Sequence, residues 1–128
     1  MSPETYQQPS IKGERTMAKG FVAQYAAEAA MQAEGVAGLD ASSLALLKEA
    51  AGLEHEGKGV QVNFQDEQDS AVTITVYPVI YYGQIIPEVA WHIQELVKAD
   101  VEKFTGLIVN AVHVHVKGVV ARKEGNRS

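Results

Sequence analysis

His113 and His115 stand two residues apart in the alternating run Val112-His113-Val114-His115-Val116. On a strand that spacing sends both imidazoles to one face, where two ring nitrogens could serve a metal ion. A third ligand is needed, and His92, the candidate for it, falls on a predicted helix. Histidines are also ordinary surface residues of a strand, so no metal site is expected. Asp66, Glu67 and Asp69 bring three carboxylates together in one polar turn, where side chains are solvated and hydrogen-bond local backbone rather than share a proton. There is no glycine-rich phosphate loop, no Gly-x-Ser-x-Gly and no cysteine. The residues therefore predict no catalytic group, no cofactor and no enzyme.

Recognition is the chemistry that the side chains favour. On a helical wheel Trp91 lies almost opposite Val89, Ile93 and Phe104, beside Glu95, Lys98 and Glu102 on the polar face. Tryptophan is enriched among interface hot spots, so Trp91 is a candidate anchor for a partner or for a second copy of the chain, with Tyr81 and Tyr82 nearby in sequence. The alternative is that the indole folds over its own helix or contacts a loop.

The element that must position these residues runs from Tyr81 to Phe104. Pro87 fits a first helical turn, Glu88 complements the positive end of the helix dipole, and Gly106 stops the helix. Between them Val89, Ile93, Leu96, Val97, Val101 and Phe104 form one apolar stripe. Leu107 to Val116 then reads as a strand. Upstream, residues 1–10 read as a flexible tail and 11–15 as a short edge strand. A helix from Thr16 to about Gly35 carries Ala18, Phe21, Val22, Tyr25, Ala26, Ala29 and Ala33 on one side. Val36 to Leu39 is short enough for a strand. A second short helix is expected through Ala51, then an exposed loop from Leu53 to Gly59.

Val60, Val62 and Phe64 alternate with polar residues, as do Val72, Ile74 and Val76, which predicts an antiparallel hairpin. Pro78 cannot donate to a ladder and predicts a bulge or an unpaired patch. A right-handed crossover through the central helix places the last strand parallel to the second hairpin strand. The expected fold is α+β in two layers: one mixed sheet with two main helices on one face. Its domain would occupy residues 11–120, followed by a basic tail over 121–128.

With 128 residues the chain has room for one core, and 46% apolar with 21% charged residues is ordinary for a globular protein. The net charge of −5 disfavours broad attraction to nucleic acid or anionic lipid. Arg122, Lys123 and Arg127, with Lys117 upstream, are more simply a solvated basic end. No apolar run reaches the roughly 20 residues that cross a bilayer, so direct membrane insertion is not expected.

The segment YYGQIIPEVAWHIQELVKADVEKFTGLIVNAVHVHVKGV resembles the C-terminal signature of the bacterial alkaline shock protein family, also called the general-stress Gls family. The matching pieces are Tyr82-Gly83, Ile86-Pro87-Glu88-Val89-Ala90, Thr105-Gly106 and Val112 to Val119. Upstream, Glu34-Gly35-Val36-Ala37-Gly38-Leu39 and Gly59-Val60-Gln61-Val62 are similar to the family's turn and strand. The chain departs from the pattern at Pro78, at Tyr81 where an acid is common, and at His113 where asparagine is usual. The resemblance implies a non-enzymatic protein of stress and envelope homeostasis. It implies a cytoplasmic place or one at the inner face of the membrane, through a small membrane-anchoring protein or through self-association. The alternative it implies is a small-molecule-binding regulator linked to fatty-acid metabolism.

Overall fold

The computed structural model describes residues 11–40, 59–65 and 70–123, with side chains from residue 18 onward. Helix α1 spans Ile11–Gln32, strand β1 Val36–Leu39, β2 Val60–Phe64, β3 Ala71–Val76 and β4 Pro78–Tyr81. Helix α2 spans Ile86–Thr105, followed by β5 Ile108–Val114 and β6 Gly118–Val120. The expected tail over 1–10, the short helix, most of the loop before Gly59 and the acidic turn lie outside the described residues.

The architecture is α+β, with both helices packed on one side of the strands. The strands pair as two three-stranded mixed sheets, ordered β1-β4-β6 and β2-β3-β5. β2 and β3 form the expected antiparallel hairpin in unbroken register from Val60↔Val76 to Phe64↔Val72. β5 runs parallel to β3, as the crossover rule requires.

The division into two sheets occurs at Pro78. Alternation is not shifted there: Val72, Ile74, Val76, Pro78 and Ile80 are all buried, so β3 and β4 are one extended run without a bulge. What changes is the partner. On one side Tyr77 donates to Gly59 O and accepts from Asp40 N, and β2 gives way to β1. On the other side His115 N donates to Val76 O and Lys117 N to Pro78 O, and β5 gives way to β6. Proline has no amide hydrogen to fill the rung between them, which is why the single strand expected over 107–116 breaks after Val114. The β5–β6 run also carries one extra residue opposite Pro78, where Val76↔Val114 gives way to Val79↔Gly118, and further irregularities in register fall at Val36/Gly38 and Val72/Thr73.

The edge strand expected at 11–15 is the beginning of α1. Lys12, Glu14 and Arg15 are good helix formers, and extending an existing helix past one glycine costs less than starting a separate strand. The alanine face of α1 packs as expected: Val22, Ala23, Ala26, Ala27, Ala29, Ala30 and Ala33 are buried. Its small side chains let the helix lie close to α2 and the strands. Two aromatics leave the expected core. Phe104, one turn beyond buried Val101, is 54% exposed and stacks on Tyr25 of α1 with centroids 5.0 Å apart. Phe21 is also exposed and borders the same open groove.

Candidate functional site

α2 carries the candidate surface, and its position is set at both ends. Pro87 lies at the first helical positions after Ile85, which has extended φ and ψ of −86° and 103°. At the other end Gly106 takes the left-handed conformation, φ 76°, and its N–H donates to Glu102 O. Val89, Ile93, Val97 and Val101 are buried along one stripe, which fixes the rotation of the helix. Trp91 is thereby turned outward and is 56% exposed. Its indole meets the ring of His92 at 5.3 Å, in a tilted arrangement.

The turn into α2 adds a second apolar group. Gly83, φ 95°, reverses the chain, and Tyr82 N donates to Val120 O at 2.7 Å, joining the turn to β6. Tyr82 is 79% exposed and Ile85 60%, while Val119 and Val120 stand half-exposed beside them on β6. Of the three residues expected at an interface, Trp91 and Tyr82 are exposed. Tyr81 is only partly so: the Arg122 guanidinium covers its ring at 4.1 Å. Trp91 stacks with neither tyrosine.

Three polar side chains on the flank of α2 bind the outer edge of β5. Gln94 Nε2 donates to Val112 O at 2.9 Å, and Lys98 Nζ donates to Val109 O at 3.0 Å. Glu102 Oε2 accepts from Val109 N at 2.9 Å and from Lys98 Nζ at 2.9 Å. These bonds hold the Glu102 carboxyl below its ordinary pKa, the Val109 amide contributing most and the Lys98 ammonium next. They also satisfy strand-edge groups that have no neighbouring strand among the described residues to pair with. Helical periodicity places Lys98 and Glu102 of this row on the polar face of the helix. Its four-residue spacing was visible, but its partner on β5 is a tertiary fact.

On the face of the sheet turned away from the helices, the Tyr77 ring stacks on His115 at 5.6 Å and its hydroxyl donates to Gln61 Oε1 at 3.4 Å. Lys117 Nζ lies 6.0 Å from the same ring. His113 and His115 are both exposed on this face, as their spacing predicts. His92 belongs to α2, on the other side of the sheet, and among the described residues no group of three ligating side chains comes together. Nor is any described helix long and apolar enough to cross a membrane.

Comparison with known proteins gives the family. Residues 7–121 match the model of the alkaline shock protein 23 family, described as having a cell envelope-related function. An uncharacterized protein of Streptococcus pyogenes, Spy1535, is 38% identical over 95 residues, 74% of this chain and 70% of that one. YloU, an uncharacterized protein of Bacillus subtilis, is 32% identical over 109 residues, 84% of this chain and 88% of the relative. A solved MamM CTD chain in a zinc form superposes with a TM-score of 0.47 and 16% identity, over 82% of this chain and 87% of that one. A likeness that slight bears on neither metal nor function. The family match covers nearly the whole described fold, and the chain belongs to the alkaline shock protein 23 family of cell envelope-related proteins.

Proposed function

We propose that the protein is a non-enzymatic adaptor or structural module of the cell envelope, acting through protein–protein contacts in the stress response of its cell. The observation that carries this reading is the exposure of Trp91 on a helix that buries Val89, Ile93, Val97 and Val101 on its opposite side. A large aromatic presented on a rigid element costs little ordering on binding and suits an anchor residue. The chain works at the cytoplasmic face of the membrane, held there by a small membrane-anchoring protein that binds around Trp91 and Tyr82.

The test is affinity capture of the tagged protein from its native cells in mild detergent, with mass spectrometry of the co-purified proteins. A small membrane protein should be recovered with the natural chain and lost with Trp91→Ala, while the melting temperature stays the same. Identical recovery by both chains would remove Trp91 from any interface and sink this reading.

A further inference from the structure

The outer edge of the β5–β6 run changes character along its length. Its first half is closed by α2: Val109 N and O and Val112 O are bound by Glu102, Lys98 and Gln94. Beyond Val112 that cover stops. His115 N and Lys117 N point inward, to Val76 O and Pro78 O, and backbone direction alternates along a strand. The peptide groups of Val114 and Val116 therefore point outward. Among the described residues β5 and β6 are paired on one side only, so this second half is an unpaired strand edge.

The two faces that flank it differ. On the helix-free face stand Lys117, over the Tyr77 ring, and Arg122, over the Tyr81 ring, with exposed His113 and His115 alongside. On the helix face stand Trp91 and, past the extra residue in the strand run, Val119, which pairs with buried Ile80. Trp91, Lys98 and Glu102 share one flank of α2, since spacings of seven and four residues return to nearly the same direction. Gln94 reaches Val112 and Lys98 reaches Val109, so α2 runs antiparallel to β5, and Trp91, nearer the helix start, overhangs the edge beyond Val112.

We propose that this edge receives an extended acidic segment of a partner protein, which adds as a strand beside Val114 and Val116. The proposal rests on the adaptor reading and names the kind of partner. Side chains of an added strand alternate between faces, so its acidic residues meet Lys117 and Arg122 while its apolar ones lie under Trp91 and on Val119. A second copy of the chain is the poorer occupant. Antiparallel pairing of two such edges sets Lys117 and Arg122 of one copy near those of the other, and like charges across strands repel.

The probe is a capped decapeptide alternating valine or threonine with glutamate, and its counterpart with lysine in place of glutamate, each titrated into the full chain. The acidic peptide should slow amide hydrogen exchange at Val114 and Val116, and the lysine peptide should not. Val116→Pro removes an outward donor without touching the inward ladder and should abolish binding. Charge reversal at Lys117 and Arg122, on exposed side chains, should weaken it roughly tenfold even if the proline variant fails to fold. Equal binding of both peptides, no protection at Val114 and Val116, or protection of those amides by dimerisation of the chain alone would each overturn the proposal. Failure here with Trp91-dependent capture intact would discard strand addition and leave the adaptor. Loss of capture sensitivity with peptide binding intact would do the reverse.

Discussion

Glu102 joins the last turn of a helix to the strand that follows it, and its chemistry makes the junction sensitive to acid. Its carboxylate accepts from Val109 N and from Lys98, and both bonds favour the ionised form. A carboxyl whose pKa is lower folded than unfolded stabilises the fold above the unfolded value, here about 4.5, and that contribution disappears as pH falls through the folded value. Denaturant titrations from pH 7 down to pH 3 should therefore show a loss in the natural chain below about pH 4.5 that is shallower in Glu102→Gln. Glu102→Ala, which leaves the buried Val109 amide without its acceptor, should cost about 1 kcal/mol at neutral pH. Equal curves for all three chains would show that solvent replaces the carboxylate without loss. The direction of Trp91 was legible in the sequence because helical periodicity decides it, but that the indole stays exposed rather than folding over the helix was not. The partner of Glu102 was not, since nothing in the spacing of α2 says which backbone lies beside its polar flank.

Among the elements, α2 was legible from end to end: Pro87 and Gly106 mark its limits through local backbone chemistry. The start of α1 was misread, because Gly13 and a lack of alternation suggested a break where helix propagation simply continued. The sheet was legible in its hairpin and in the parallel β3–β5 pair, which follow from alternation and handedness. Its division at Pro78 was half visible: a proline says that a rung is missing, not which strands trade places there. The alanine face of α1 sets how closely the helix approaches its neighbours, so volume added there cannot be absorbed by rotamer change. Ala30→Leu, at a position with no exposed surface, should destabilise the fold by about 1–3 kcal/mol, read from the denaturation midpoint. A neutral or stabilising result would mean that the approach is loose.

At the scale of the whole molecule, two short sheets share one core. α1 packs on β1, β2, β3 and α2, so it crosses from one sheet to the other, and the buried side chains of all these elements form a single cluster. Neither sheet can open without exposing part of that cluster. Unfolding should accordingly be one transition, with far-UV circular dichroism and near-UV tyrosine signals falling together; separate midpoints would mean that the sheets part independently. Tyr77 adds something else. Its N–H and its carbonyl hold Gly59 and Asp40, the two ends of the segment between β1 and β2, so that the segment departs from and returns to one residue. Two ends fixed at a single point are like the hinges of a handle on a closed box. Flexible residues inserted between them add only about 0.6 kcal/mol of closure entropy for each doubling of length. The position is thus a natural port for grafting, where a fluorescent tag or an entire foreign domain could be spliced in while the rest of the chain keeps its shape.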